Sequence, residues 1–179
     1  MRKRYAPTHD LLARMRYVPE DDTAWRHELV DSECAAIRDK YDPETGHPFW
    51  LYFTGQSRFD LEDPAIAPYL DMSASPEIWR FRRLPREERN HIAYLVRANR
   101  LEEAWSHAFA HGVVGLDNPG NETGHKLAAL LAQSASERTD RQRKEILRVA
   151  EDYAAALIPE VGAACFRGSQ DLTALEKKP

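Results

Sequence analysis

The chain has 179 residues, of which 42% are hydrophobic and 30% charged, with a formal charge of −4 at pH 7. That length suits one domain with its own core, and that balance excludes both a disordered polyelectrolyte and a general polyanion binder. No apolar run approaches the ~20 residues of a membrane span, and the basic start Met1-Arg2-Lys3-Arg4 lacks the apolar stretch of a secretory signal.

Charge is arranged in blocks. Residues 1–18 carry five bases against Asp10, residues 19–47 nine acids against three bases, and residues 80–100 seven arginines against Glu87 and Glu88. Such alternation favours contacts between copies of the chain or with partner proteins, and its plainer reading is a set of solvated faces. The two cysteines, Cys34 and Cys165, lie far apart in pieces that read as helical. Reduced thiols of a cytosolic protein fit them better than a disulfide framework.

In chain order, residues 1–22 contain Pro7 and Pro19 without a sustained apolar period and read as an extended arm, with a short helical turn at 10–16. Asp22 and Thr23 open a helix with Trp25, Leu29, Ala36 and Ile37 on its face, ended by Tyr41-Asp42-Pro43. After a turn at 44–48, the aromatic run FWLYF (49–53) reads as a strand, with 56–61 as its hairpin partner. Residues 62–71, with Pro64 and Pro68, are expected to form a loop with a short helical turn.

Residues 77–84 read as a second strand. Ile78, Arg80, Arg82 and Leu84 alternate with Trp79, Phe81 and Arg83, as in a sheet buried on one face only. Pro85 suits the first turn of a helix whose start carries Glu87 and Glu88, with Ile92, Leu95 and Val96 along it. Asn99 is expected to end that helix and to cap the next through a capping box with Glu102. The second helix carries Leu101, Ala104, Trp105, Ala108 and Phe109 and stops at Gly112 and Gly115. A loop is expected at 117–124, a short helix at 126–132, and a long helix at 139–158 that Pro159 ends or kinks. A helix over 159–167 then ends at Gly168 before a polar tail.

The expected fold class is α+β: a small antiparallel sheet followed by a helical C-terminal half, with an extended N-terminal arm. The organisation is an arm (1–22), one domain (23–168) and a tail (169–179).

Few residues suggest chemistry. His107 and His111 are spaced i, i+4, as two zinc ligands on one helix are, with His91, His125 and Asp117 as candidates to complete a site. The glutamate that follows the first histidine in hydrolases is Ala108 here, so two polar histidines on a helix face are the plainer reading. Arg80, Arg82, Arg83, Arg86 and Arg89, interleaved with Trp79 and Phe81, have the composition of a phosphate grip with stacking platforms, and the two helices after them imitate a helix-turn-helix. The negative net charge, a join between those helices without the usual glycine-bearing turn, and a second helix that is not basic argue against nucleic acid. The segment 112–115 lacks the lysine of a phosphate loop, Ser73, Ser75, Ser134 and Ser136 lack an elbow, and Asp21/Asp22 and Glu87/Glu88 read as helix-start charges. No enzyme activity and no cofactor are expected. A metal-dependent enzyme using His107 and His111 is the competing class.

The order of elements resembles the tail assembly chaperones of long-tailed phages. The phrases that carry it are IWRFRRL (78–84), the Pro/Arg/Glu-rich helix start after it, AFAHGVVGLDN (108–118), and SQDLT (169–173) with Glu176-Lys177-Lys178. The resemblance covers residues 49–179. It implies a non-catalytic protein of the host bacterial cytoplasm that binds the tape-measure protein, keeps it from aggregating and recruits tail-tube subunits. Trp79, Phe81, Arg80, Arg82, Arg83 and Arg86 are the expected partner-binding residues, since aromatics and arginine dominate binding hot spots. Self-association is expected, and neither a membrane nor nucleic acid is an expected partner. The first 48 residues exceed the chaperone scheme. A swapped arm suits a structural virion component, such as a head–tail connector, a tail protein or a capsid-associated protein, and particle composition separates the two.

Overall fold

The computed structural model describes residues 15–29, 61, 64 and 66–176, the last six by backbone alone. Three antiparallel strands form one sheet in the order β1-β2-β3: β1 is Arg16–Tyr17, β2 Ile78–Phe81 and β3 Val113–Asp117. Among the described residues, five α-helices of ten residues or more accompany it, besides a 3-10 turn at Met72–Ala74: α1 (Arg86–Arg97), α2 (Leu101–Gly112), α3 (Glu122–Leu131), α4 (Asp140–Ala154) and α5 (Leu157–Glu176). The architecture is α+β, with the helices concentrated in the C-terminal half.

The central strand β2 explains why the sheet forms here. Trp79 and Phe81 point to one face and are 1% and 2% exposed, packed with Tyr17, Phe109, Ile92, Leu95, Leu127 and Ile146 in the main core. Burying side chains of this size stabilises by ~1.5–3 kcal/mol each. Phe109 meets Trp79 edge-on at 5.5 Å between centroids, and Tyr17 stacks on Phe81 at 6.1 Å. Ile78 points the other way, into a smaller core of Val18, Trp25, Leu61, Ile66 and Leu70. The sheet is therefore covered on both faces at one end, whereas the alternation in 77–84 led us to expect burial on one face only. Strand β2 stops at Phe81, which releases Leu84 from the alternation and lets it turn into the main core.

Strand β3 was not expected. The chain leaves α2 at Gly112 and pairs at once with β2, Trp79 opposite Leu116 and Phe81 opposite Val113, with a bulge where Val114 is inserted. The two glycines taken as helix stops bracket a strand start, and the β-branched pair Val113-Val114 supplies its propensity.

Other boundaries also move. Residues 15–18 do not belong to a free arm, because Arg16 and Tyr17 pair with Arg80 and Trp79, and Met15, Tyr17 and Val18 are buried. The helix expected from Asp22 begins instead at His27, after turns in which Asp22 accepts from the Ala24 N–H and Trp25 bridges to Leu70. Asn99 is no cap for α2: at φ 57° it is the left-handed residue that closes α1, and Arg100 is the N-cap, ion-paired with Glu103. Helix α3 starts four residues before its expected position, because Asn121 accepts from the Gly124 N–H and so caps it. Helix α4 opens on a full capping box, Thr139 with Gln142. Pro159 falls in the first turn of α5, where its missing N–H costs nothing, so the break precedes it at 155–156.

Gly168 does not end α5, and the expected tail is helical to Glu176. Close packing of α2 on α5 depends on Gly162, where a Cβ would run into the main-chain carbonyl of Trp105. Cys165 of α5 is a free, fully buried thiol, pushed up to about 12 by burial. The expected strand at 49–53, its partner at 56–60, the turn at 44–48, Cys34 and residues 1–14 lie outside the described residues. No helix among the described residues is long and apolar enough to cross a membrane.

Candidate functional site

The six residues expected to form one partner-binding surface do not share a surface. Trp79 and Phe81 are core residues and are withdrawn from it, because β2 is the central strand and turns both rings onto the helices. Arg80 lies on the opposite face, exposed, ion-paired with Asp117 at 3.2 Å. Its guanidinium lies over Gly115 of β3, where an added Cβ would make it shift aside. Arg82 turns toward the end of α2 and donates from Nε to the His111 carbonyl at 2.8 Å, half-buried, with burial drawing its pKa down. Arg83 is half-buried and Arg86, opening α1, is exposed.

A second constellation is assembled where α1 and α2 lie antiparallel. The start of α1 therefore meets the end of α2. Glu88 comes from the first turn of α1, and His107 and His111 from the last two turns of α2. His107 Nε2 is 2.5 Å from Glu88 Oε2, and His111 Nδ1 is 3.3 Å from Glu88 Oε1. The two imidazoles stack at 4.1 Å between centroids and 14° between planes, as i, i+4 spacing on a helix permits. His91, one turn on from Glu88, places its ring 4.7 Å from that of His107. All three ligand-bearing side chains are half-buried.

The electrostatics are set by burial and by two guanidiniums, Arg82 and Arg143. Burial lowers the His111 pKa to about 4, with His107, Arg143 and Arg82 adding to the effect against the pull of Glu88. The Glu88 carboxyl is held below its usual range: burial works against its ionisation, and hydrogen bonding and charge from His107 and His111 outweigh it. At neutral pH the cluster is thus a carboxylate beside a neutral His111 imidazole.

Of the residues read as completing a histidine site, only His91 is near. His125 sits exposed on α3, and Asp117 is engaged by Arg80. Glu88, read as a helix-start charge, is the residue that the sequence reading missed. The signal for it was the pair Glu87-Glu88 with an antiparallel helix hairpin following, since only a short connection returns the end of α2 to the start of α1. Comparison of the chain with family models, curated proteins and solved structures returns no match.

Proposed function

We propose that the chain is a non-catalytic binding protein of phage tail morphogenesis, a chaperone for tape-measure and tail-tube proteins that self-associates and works in the host cytoplasm. The observation that supports this reading is the convergence of three of the phrases behind the resemblance, IWRFRRL, AFAHGVVGLDN and SQDLT in that order. Arg82, from the first phrase, donates to the carbonyl of His111 in the second, and the Leu84 N–H donates to Ser169 Oγ in the third at 3.0 Å. The residues distant in sequence thus form one unit around positions 82–84. With Trp79 and Phe81 committed to the core, the contacts with partners fall to Arg80, Arg83 and Arg86 around the β2 exit.

Co-expression with the tape-measure protein and the tail-tube protein of the same genome tests this. The tape-measure protein is expected to move into the soluble fraction and to co-purify with the chain, and the triple charge reversal Arg80→Glu, Arg83→Glu, Arg86→Glu is expected to weaken that capture. A tape-measure protein that stays insoluble beside a soluble chain overturns the proposal. So does the chain's presence in finished particles at a fixed copy number, which favours the virion component instead.

A further inference from the structure

We propose that Glu88, His107 and His111 form a binding site for a divalent transition metal, zinc in particular, which clips the start of α1 to the end of α2. Two imidazoles and one carboxylate are three protein ligands, the set that leaves a fourth tetrahedral position to water. The donor atoms all lie within 4.8 Å of one another, and tetrahedral zinc with bonds of ~2.0–2.1 Å holds its donors ~3.3–3.4 Å apart. The Glu88–His111 pair already stands at that spacing, 3.3 Å, and Glu88–His107 at 2.5 Å needs only a modest outward turn of either side chain.

The stacking of the rings points the same way. Stacked 14° from parallel on one helix face, the rings present His107 Nε2 and His111 Nδ1 to the same carboxylate, Glu88. The chemistry of the donors, nitrogen and carboxylate oxygen without thiolate, suits zinc, nickel or copper better than calcium or magnesium. Half-burial leaves the site open to ion exchange.

Two charges oppose the ion. Arg82 is held by the His111 carbonyl, and the charge of Arg143 on α4, ion-paired with Asp140 at 2.7 Å, is felt at both Glu88 and His111. They make the site weaker than a four-ligand structural zinc site. This inference does not depend on the tail-assembly reading, because a clipped helix hairpin serves any partner.

The test uses the full chain stripped with EDTA and dialysed metal-free. Added Zn²⁺ is expected to raise Tm by roughly 5–10 °C at a hundredfold excess over Kd, since the unfolded chain keeps no such site. Co²⁺ is expected to give the visible bands of a tetrahedral centre. His107→Gln and His111→Gln are each expected to weaken Zn²⁺ binding by at least ~tenfold, the lower range for disturbing even an outer-shell partner. His125→Gln, on exposed α3, keeps the wild-type response. Should a histidine variant fail to fold, diethyl pyrocarbonate labelling of the wild-type chain replaces it, with Zn²⁺ expected to protect His107 and His111 but not His125. The proposal is overturned by an unchanged Tm with no tetrahedral Co²⁺ spectrum. An equal Tm rise in the His107→Gln/His111→Gln double variant, or unprotected His107 and His111, does the same.

Discussion

Arg138 is the residue on which the helical half turns. It is 3% exposed, and its guanidinium donates to main-chain carbonyls: Ala110 at 3.1 Å, Val113 at 2.8 Å and Leu131 at 2.7 Å. Ala110 and Leu131 lie in the last turns of α2 and α3, where carbonyls lack helical partners and the dipole favours a cation. One side chain thus satisfies two helix ends and the first residue of β3. Burial lowers its pKa to about 10, helped by Arg82 and Arg143, which leaves it cationic at neutral pH. Arg138→Met keeps most of the apolar stem but strands those carbonyls. The expected cost is ~3 kcal/mol, given 1–3 kcal/mol for each buried polar group left without a partner and partial relief by water. Arg138→Lys, with charge but no fork, is expected to lose less. Urea unfolding followed by far-UV circular dichroism measures both, and a Met variant as stable as the wild type contradicts the account. The sequence has no local sign of this role, since Arg138 stands among Glu137, Thr139 and Asp140 as any surface charge does before a helix.

At the scale of elements, α5 is tied near its start to β1 and the turn after it, and further along to the segment between β2 and α1 and to α1 itself. Near its start, Glu160 Oε1 accepts from the Tyr17 hydroxyl at 2.7 Å and from the Glu20 N–H at 2.9 Å, which holds β1 in place. Near its end, Ser169 is fully buried, its hydroxyl accepting from the Leu84 N–H and its carbonyl from Arg89. Truncation after Gly168 is therefore expected to lower stability by at least ~1 kcal/mol, or roughly 2–4 °C in Tm for a chain of this length. Ser169→Ala isolates the hydroxyl and is expected to give most of that loss, and a truncated chain melting with the wild type contradicts the tie. The same elements show what was readable beforehand. Helices α1 and α4 announce themselves through Pro85 with Glu87 and Glu88, and through Thr139 ahead of an apolar stripe, because caps and periodicity are local. Strand β1 has two residues, too few for any period, and exists because Trp79 and Arg80 offer an edge. Strand β3 begins within one residue of a helix end, so Gly112 and Gly115 look like a stop. The Glu88–His107–His111 cluster was half legible: the i, i+4 histidines follow from helical spacing, but the carboxylate arrives only through the packing of α1 on α2.

At the scale of the molecule, two hydrophobic cores on opposite faces of the sheet are joined beside β2, and Glu77 stands at the join. Its main-chain N–H donates to Asp22 Oδ2 at 2.9 Å, next to the smaller core, and its carboxyl accepts from the Tyr153 hydroxyl of α4, next to the larger one. Tyr153 in turn accepts from the Gly120 N–H at 3.1 Å, which anchors the loop before α3. Burial, with Asp22 nearby, pushes the Glu77 carboxyl up, against the pull of the bonds it accepts, and the net direction is upward. The Tyr153 hydroxyl, raised to about 12 by burial and by Glu77, stays protonated and keeps donating through neutral pH. A carboxyl raised on folding binds its proton more tightly in the native state. Its contribution to stability is therefore full below the unfolded value near ~4.3 and is lost as pH rises through the folded one. Glu77→Gln is neutral at every pH and can still accept from Tyr153, so it lacks that loss. The stability of the variant relative to the wild type is expected to rise between about pH 4 and pH 7, read as the difference in urea midpoint across the series. Taking the difference cancels Glu88, whose lowered value acts in the opposite direction in both proteins. A variant whose midpoint differs from the wild type by the same amount at every pH means that Glu77 titrates alike in the folded and unfolded chain, and the join between the cores then carries no buried carboxyl.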